Sequence, residues 1–389
     1  MRNWILPEYV EDILPAEALH IERIRRKILD LMHVHGYQLV IPPLLEYTES
    51  LLSGSGSDMD LHMFKVVDQL SGRMMGLRAD ITPQAARIDA HLLNAQGVTR
   101  LCYANSVLHT VPCEITRTRE PFQIGAELYG HSGLESDFEI QHLMLQCLAT
   151  SGVGKIQLDL GHVAIFRCLI KDLAVKPVLE MDLYTLLGAK DLAALKELLQ
   201  STDMQLSKNV QEILLRLPEL YGDRKILIEA RKMLPKHPEI VTALDQLDIL
   251  AEKLECYVDQ ITFDLSDLRG YHYHTGIVFA AYSKGNSSPI VLGGRYDEIG
   301  KSFGRSRPAT GFSMDLRELS RLIHTETSPR GILAPYNPDD SLLQEKVMQL
   351  RRSGWVVITL LPGCNENDDA AYCDRKLVLK NGAWDVEEI

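Results

Sequence analysis

The chain has 389 residues, more than one hydrophobic core usually accommodates, so we expect a large domain and at least one smaller unit. Hydrophobic residues make up 46% and charged residues 24%, which is ordinary for a folded protein and excludes the disordered and fibrous classes. Lys and Arg number 41 against 53 Asp and Glu, and the formal charge of −12 repels polyanions. A nucleic-acid partner would therefore need a local basic patch.

The cysteines are odd in number, seven, and include no C-x-x-C pair, which favours reduced thiols over a disulfide framework or a zinc site. The first residues are rich in acids and lack the basic-then-apolar order of a signal peptide. No apolar run is long enough to cross a bilayer. These features predict a cytoplasmic globular protein, and nothing in them calls for a metal or a cofactor.

The first half of the chain is predicted to contain both helices and strands. Apolar positions at helical spacing predict a helix from Pro15 to Gly36. Thr82, as an N-cap hydroxyl, and Pro83 predict the start of a second helix, which Gly97 would end. The predicted strands are YQLVI at 37–41, then 64–67 and 74–77 as a hairpin, 101–109, 121–129, and IQLDL at 156–160.

A long helical block follows a predicted helix from Glu135 to Ser151. Residues 176–256 are almost wholly helical in pattern, which predicts an inserted helical subdomain. Strand signals return in ITFDL, YHYHTGIVFAAY, SPIVLGG and TGFSMDL, and turn residues from Pro329 to Pro338 mark a boundary. The remainder contains GILAP, a helix, WVVITLL and a hairpin that turns at Asn381 and Gly382.

Strands that adjoin through hairpins favour an antiparallel sheet over a doubly wound parallel one. The predicted class is therefore α+β. We expect a core domain at 1–325, interrupted by the helical insertion at about 176–256, and a small C-terminal domain at 330–389.

Two histidines in YHYHTG are the first candidates for a site. His272 and His274 lie two apart, so on a strand both rings would face one way and could bind a metal or an anion. Nothing supplies a third ligand, and packing or hydrogen bonding is the favoured interpretation.

The segment LRADITPQAAR carries a second candidate. Arg78, Asp80 and Thr82 alternate just before a helix, and a cation, a carboxylate and a hydroxyl there suit a zwitterionic small molecule. The alternative is a capping cluster, in which the acid and hydroxyl satisfy free helix amides, and these residues alone favour it. Gln123 and Glu127, four apart in FQIGAELYG, face alike on a strand.

Five motif-like segments follow one another along the chain: LRADITPQAAR, RLCYANSVLHTVPCEITRTREPFQIGAELYG, RGYHYHTGIVF, GGRYD and ATGFSMDLREL. Together they resemble the signatures of histidyl-tRNA synthetase, a class II aminoacyl-tRNA synthetase, over about residues 5–325. The resemblance implies the class II fold, an antiparallel sheet flanked by helices. After Gly331 that family continues into an anticodon-binding domain, of which only a shortened α/β remnant fits here.

The nucleotide-binding positions depart from that family. The ATP-binding arginine of its second motif falls on His109, and the acid that holds the adenine falls on Val111. The phosphate-binding arginine of its third motif falls on Glu318. Because positioned cations must neutralise a triphosphate, we expect adenylate chemistry to be lost. Whether Arg117 and Arg119 still bind a phosphate stays open.

The positions that would bind the amino acid match that family more closely than the nucleotide-binding positions do. An aspartate stands where the family has a glutamate, and a histidine stands where a tyrosine reads the imidazole. The resemblance implies a histidine-binding site made of Asp80, Thr82, Gln123, Glu127, Arg269, Tyr273 and His274. In this site Asp80 and Glu127 would bind the ammonium group of histidine. Gln123 and Arg269 would bind its carboxylate group, and the rings of Tyr273 and His274 would contact its imidazole.

A synthetase-like chain with such a pocket, a broken nucleotide site and a short tail resembles the regulatory subunits of short-form ATP phosphoribosyltransferase. The resemblance implies a non-catalytic class II-like dimer that joins a separate catalytic chain in a hetero-octamer. That complex catalyses the first step of histidine biosynthesis, and histidine inhibits it. No tRNA or membrane partner is expected. The alternatives are an active histidyl-tRNA synthetase and a synthetase-like amino-acid-binding regulator of another partner.

Overall fold

The computed structural model describes residues 4–53, 57–112, 117–171, 177–201, 208–270, 273–323, 331–364 and 372–389. The chain divides into two units, Met1–His324 and Thr325–Ile389. Within the described residues, no helix combines the length and the apolar character that crossing a membrane requires.

The helices are α1 (Pro15–Val34), α2 (Thr48–Leu52), α3 (Ser57–His62), α4 (Thr82–Arg87), α5 (Leu134–Ser151), α6 (Val163–Lys171), α7 (Pro177–Gly188), α8 (Leu192–Ser201), α9 (Lys208–Arg216), α10 (Lys225–Met233), α11 (Pro238–Leu254), α12 (Leu316–Leu322) and α13 (Ser341–Arg352). The strands are β1 (Gln38–Leu39), β2 (Leu45–Tyr47), β3 (Phe64–Val67), β4 (Met74–Leu77), β5 (Thr99–Ser106), β6 (Phe122–Tyr129), β7 (Ile156–His162), β8 (Tyr221–Gly222), β9 (Gln260–Asp264), β10 (Ile277–Ser283), β11 (Val291–Arg295), β12 (Ala309–Asp315), β13 (Gly331–Ala334), β14 (Val357–Thr359), β15 (Cys373–Lys380) and β16 (Ala383–Glu388).

A nine-stranded sheet forms the first unit, in the order β1-β5-β6-β12-β11-β10-β7-β9-β8. Its neighbours are antiparallel except for the pairs β1/β5 and β7/β9, so the sheet is mixed but mainly antiparallel. The helices α1, α5 and α12 pack together, and Ile28 of α1 and Met144 of α5 are fully buried in the main core. The predicted α+β class is confirmed.

The described residues between 176 and 256 are mostly helical, with one exception. Helices α7 to α11 occupy these residues, but Tyr221 and Gly222 form a two-residue strand that pairs antiparallel with β9. This pairing attaches the insertion to the end of the large sheet. A helical periodicity cannot reveal so short a strand.

The helix predicted at Thr82 begins there, but its termini differ from the prediction. Thr82 is the first helical residue and not the N-cap. The N-cap is Ile81, whose apolar side chain forms no capping hydrogen bond. The helix continues as a π-helical segment, Ile88–Leu93, and ends at Asn94 rather than at Gly97. Asn94 adopts a left-handed φ of 43°, which asparagine tolerates better than most residues, and its N–H donates to the Asp89 carbonyl.

The second unit is a four-stranded sheet, β14-β13-β15-β16, with the helix α13. Ile332, Leu343 and Val347 form part of its own small core. The predicted hairpin turn is confirmed, with Asn381 and Gly382 both at positive φ between β15 and β16.

A buried ion pair joins the large sheet to α5. Arg295, at the end of β11, donates from Nε and Nη2 to both carboxylate oxygens of Asp137, with a shortest distance of 2.8 Å. It also donates to the Ser136 hydroxyl at 2.8 Å, and both charged side chains are almost wholly buried. Removing one partner of such a pair leaves an uncompensated charge in the interior.

We therefore expect Arg295→Met to lower the free energy of unfolding by about 3–5 kcal/mol. The matched control is Arg224→Met, because Arg224 pairs with Asp248 at 2.6 Å while its side chain is 47% exposed. That change should cost about 1 kcal/mol or less. Urea denaturation followed by circular dichroism measures both. Equal losses in the two variants would contradict the assignment of Arg295 as a structural anchor.

Candidate functional site

Glu127 lies at the centre of the candidate site, near the middle of the large sheet on β6, and is 1% exposed. Its carboxyl group accepts hydrogen bonds from the hydroxyl groups of Tyr103, at 2.9 Å, and Tyr296. Burial raises the pKa of Glu127 to about 8, although these two hydrogen bonds oppose the shift. The group is therefore largely protonated at neutral pH in the empty site, and a cationic ligand would favour its ionised form.

The neighbouring strand makes room for this carboxyl group. Gly311 on β12 stands opposite Glu127, and a Cβ at Gly311 would overlap its Oε2. Only a glycine leaves the carboxyl group in this place.

Asp80 lies beside Glu127 in a hydrogen-bonded chain. Its Oδ1 accepts from the Thr82 N–H at 3.1 Å, the Thr82 hydroxyl at 3.2 Å and Gln123 Nε2 at 2.7 Å. The Thr82 hydroxyl lies 3.1 Å from that of Tyr103, which in turn reaches Glu127. Asp80 thus caps the helix with one oxygen, and none of the described hydrogen bonds uses the other.

Tyr273 completes this group. Its ring stacks on Tyr296 at 4.9 Å between centroids. Its buried hydroxyl makes no described hydrogen bond of good geometry, although Thr82 lies close enough to oppose the rise that burial causes in the pKa of Tyr273. We call the residues that surround this point the Glu127 cluster; they are Asp80, Thr82, Tyr103, Gln123, Glu127, Tyr273 and Tyr296.

His274 lies beside the cluster. The sequence analysis predicts it on a strand, and this prediction is wrong. The strand β10 begins only at Ile277, because Gly270 makes a left-handed turn at φ 63° whose carbonyl accepts from the Tyr273 and His274 N–H groups. The His274 ring meets Tyr273 edge-on at 5.2 Å, and its Nδ1 is 3.1 Å from the Arg269 carbonyl. Burial lowers the pKa of His274 to about 4, so the ring is neutral. His272 lies outside the described residues.

Arg269 and Arg78 are not joined to the Glu127 cluster by any described hydrogen bond. Arg269 forms a bidentate pair with Asp267, at 2.9 and 2.5 Å, and donates to the Tyr282 hydroxyl at 3.2 Å. It lines a separate cavity of about 430 Å³ near the helical insertion. Arg78 is buried and donates to the carbonyls of Pro42, at 2.7 Å, and Ser106, which is a structural role.

Of the three positions that depart from the synthetase pattern, His109 lines a smaller cavity of about 230 Å³, and Val111 and Glu318 do not. The cavity is lined by Ala79, Asp80, Val107, His109, Pro121, Gln123, Pro289, Ile290, Val291, Leu292, Ser313, Met314 and Asp315. These described lining residues include no lysine or arginine, so nothing among them can neutralise a phosphate. His109 directs Nε2 to the Ala79 carbonyl at 2.9 Å. Val111 is exposed and does not line the cavity, and Glu318 pairs with Arg321.

The loop with Arg117 and Arg119 is described from residue 117 onward. The Arg119 guanidinium lies 4.7 Å from the centroid of the Phe64 ring, and the backbone N–H of Arg119 donates to the Tyr9 carbonyl at 3.0 Å. Arg117 lies close enough to Glu318 for its charge to oppose the rise that burial causes in the pKa of Glu318. Arg119 therefore has partners within the chain, and the charge of Arg117 acts on Glu318.

One group elsewhere offers metal-ligating atoms. Cys168, His237 and Glu239 bring their donors within 4.8 Å of one another. His237 Nδ1 caps α11 by accepting from the Glu239 N–H at 3.3 Å, and the Glu239 carboxylate pairs with Lys171 at 3.1 Å. These contacts account for the arrangement without an ion.

Two residues of the cluster escaped the sequence analysis. Tyr103 lies on β5 opposite Gly125, and Tyr296 follows β11 in GGRYD. The glycine pair of GGRYD indicated a close approach of backbone, which was the available signal for Tyr296. The approach of Tyr103 to Glu127 depends on strand pairing and had no local signal.

Comparison with known proteins places these features in a family. The model of the family "Histidyl-tRNA synthetase" matches residues 9–319, and that of the "ATP phosphoribosyltransferase subunit HisZ C-terminal domain" matches residues 329–387. An "ATP phosphoribosyltransferase regulatory subunit" of Nitrosomonas europaea is 64% identical over 100% of both chains. Another of that name, from Janthinobacterium sp., is 52% identical over 100% of both.

Solved structures agree with this assignment. An "ATP phosphoribosyltransferase regulatory subunit/histidyl-tRNA synthetase" from Bacillus halodurans C has a TM-score of 0.84 at 27% identity, over 97% of this chain and 98% of that one. The histidyl-tRNA synthetase of Nostoc sp. PCC 7120 has a TM-score of 0.78 at 18% identity, over 97% and 92%, and shares the fold. The resemblance seen in the motifs is confirmed: the chain belongs to the family of ATP phosphoribosyltransferase regulatory subunits, which is built on a histidyl-tRNA synthetase fold.

Proposed function

We propose that this chain is the non-catalytic subunit on which an ATP phosphoribosyltransferase catalytic chain depends, and that histidine bound at the Glu127 cluster inhibits the complex. The observation that carries the proposal is the contrast between two adjoining sites. The Glu127 cluster offers carboxyl and hydroxyl groups to an amino acid. The cavity beside it has no described cation for a nucleotide phosphate. Amino-acid binding can therefore persist where adenylate formation cannot.

The cluster suits the groups of histidine. Glu127 and Asp80 supply negative charge for the ammonium group, and the hydroxyl of Tyr273, which makes only a weak contact with Thr82, can hydrogen-bond a ring nitrogen. The neutral ring of His274 lies beside it, where the synthetases have a tyrosine. Gln123, held by Asp80 and the Ile81 N–H, is fixed in orientation for the carboxylate side.

Inhibition requires that histidine bind the inhibited and active states of the complex with different affinity. Only that difference can shift the equilibrium between the states, and linkage makes the effect reciprocal. The cluster joins β5, β6, the start of α4 and the loop after β9 through hydrogen bonds and stacked rings. A ligand that reorders these contacts acts on several elements of the sheet at once.

An apolar surface along the outer strand β1 suits self-association. Leu39, Ile41 and Leu44 are exposed here, and β1 is the end strand of the large sheet, which leaves its outer edge unpaired. Exposed apolar side chains at an unpaired edge favour a protein interface. We propose a class II-like dimer through this surface, with dimers joining the catalytic chain in a cytoplasmic hetero-octamer. The net charge of −12 gives tRNA no general attraction.

Glu127→Gln tests the histidine site. The amide keeps the shape of the side chain but removes the negative charge that the ammonium group would meet, so histidine affinity should fall about tenfold or more. Isothermal titration calorimetry measures the affinity. Glu135→Gln, at an exposed glutamate in the first turn of α5, is the matched control and should bind as the unaltered chain does.

Two further readouts separate binding from a loss of folding. Because the pKa of Glu127 is about 8 in the empty site, ionisation by a bound ammonium should release protons at pH 7.5, and Glu127→Gln should abolish that share. Titration in buffers of different ionisation enthalpy measures the release.

Arg269→Met should lower the affinity for histidine less than Glu127→Gln does, since Arg269 must first leave Asp267 to reach the ligand. Unchanged binding in both the Glu127 and Arg269 variants would remove the site.

The dimer has its own test. Ile41 is 76% exposed, and Ile41→Glu should convert a dimer into monomers because it places charge in an apolar interface. Light scattering coupled to size exclusion measures the mass. Ile228→Glu, at a residue of α10 that is 57% exposed, should leave the dimer intact. A monomeric unaltered chain, or equal behaviour of the two variants, would refute this surface as the interface.

A further inference from the structure

The loop before β10 fixes which nitrogen of the His274 ring carries the proton. Nδ1 lies 3.1 Å from the carbonyl oxygen of Arg269, and a carbonyl group can only accept a hydrogen bond. Burial lowers the pKa of His274 to about 4, so at neutral pH the ring is uncharged and its two nitrogens share a single proton. That proton is therefore on Nδ1, and Nε2 keeps a bare lone pair.

None of the described hydrogen bonds uses the Nε2 atom of His274. The ring is half-buried, and its described hydrogen bond is made by Nδ1. A bare imidazole nitrogen accepts hydrogen bonds and cannot donate them, whereas a tyrosine hydroxyl at the same position could do both. A ligand that meets Nε2 must therefore bring a donor.

Two neighbouring glycines place this edge of the His274 ring on the same face of the sheet as the Glu127 carboxyl group. A Cβ at Gly294 would lie 2.8 Å from His274 Nε2, so the ring edge lies over β11. Gly294 pairs with Gly311 of β12, over which the carboxyl group of Glu127 lies. The Cβ positions of such a pair are about 4.5–5.5 Å apart. One small molecule can therefore reach both groups.

The hydroxyl of Tyr273 offers the complementary group beside Nε2. The Tyr273 ring meets the His274 ring edge-on at 5.2 Å, and its hydroxyl makes no described hydrogen bond of good geometry. A hydroxyl can donate to a bare ring nitrogen. The two side chains together present one donor and one acceptor. A neutral imidazole, which has one N–H group and one bare nitrogen, matches both.

We propose, on the basis of the proposed function, that His274 Nε2 accepts a hydrogen bond from a ring N–H group of the bound amino acid. The ligand class is then an α-amino acid whose azole ring carries an N–H donor. An analogue without this donor covers Nε2 and leaves it unpaired, which costs affinity. Sites built to hydrogen-bond an N–H group reject analogues that lack it more strongly than apolar pockets reject a small change of shape.

Two ligands of nearly one shape test the proposal: L-histidine and β-(4-thiazolyl)-L-alanine, in which a sulfur atom replaces the ring N–H group. Both carry the same ammonium and carboxylate groups. Isothermal titration calorimetry on the full chain at pH 7.5 should show histidine binding about tenfold or more tightly than the thiazole analogue. Equal affinities would contradict the proposal while the histidine site itself stands. If neither ligand binds, both the site and the proposal are refuted.

His274→Asn and His274→Gln identify the atom responsible. The asparagine amide can keep the hydrogen bond to the Arg269 carbonyl but places nothing at Nε2. Histidine affinity should therefore fall about tenfold, to that of the thiazole analogue, whose own binding should not change. The glutamine amide oxygen can take the place of Nε2 as an acceptor, so His274→Gln should retain most of the preference. His142→Asn, at a half-buried histidine of α5, is the matched control.

The pattern of losses separates the proposal from its alternatives. An equal loss of both ligands in His274→Asn would place the ammonium group, rather than the ring, at Nε2 and would overturn the proposal. An undiminished preference for histidine in that variant would assign the discrimination to another group. Thermal unfolding followed by circular dichroism shows whether each variant is folded. The comparison of the two ligands on the unaltered chain needs no variant and decides the matter if His274→Asn does not fold.

Discussion

The candidate site depends on a buried carboxyl group that makes no ion pair with any described cation. Glu127 lies within the large sheet with two tyrosine hydroxyls as its partners, and burial raises its pKa. Because burial opposes its ionisation, a cationic ligand would stabilise the charged form and an anionic ligand would not. Gly311 provides the space, and the pairing of β6 with β12 fixes the position.

The neighbouring cavity is poorly suited to a nucleotide phosphate. Phosphoryl chemistry needs cations at fixed points, and here the described lining offers two carboxylates and a histidine instead. Arginines remain nearby, but they are used within the chain, as Arg317 is in its contact with Glu11. The fold is nevertheless shared with a histidyl-tRNA synthetase.

Local signals predicted most of the elements, since helices and hairpins end where the sequence marks them. Gly152 ends α5 at a positive φ, and Asn381 turns the final hairpin, as predicted. The errors arose where distant contacts decide the outcome. His274 was placed on a strand because its alternation looks extended, whereas the turn at Gly270 delays that strand.

The motifs group more residues of the Glu127 cluster than the residues taken singly do. Asp80 and Glu127 do share one hydrogen-bonded network, through Tyr103, a residue no pattern indicated. Arg269 lies apart because Asp267, two residues earlier, holds it in a bidentate pair. Sequence spacing could not show which of several acids an arginine would choose, since that choice depends on the folded loop.

The central claim is that this chain controls a phosphoribosyltransferase through histidine. The most direct measurement is the rate of phosphoribosyl transfer from phosphoribosyl pyrophosphate to ATP by a short-form catalytic chain from the same organism. It should be measured alone, with this chain, and with this chain plus histidine. We predict a rate that requires this chain and falls when histidine is added. Equal rates in the three mixtures would contradict the account.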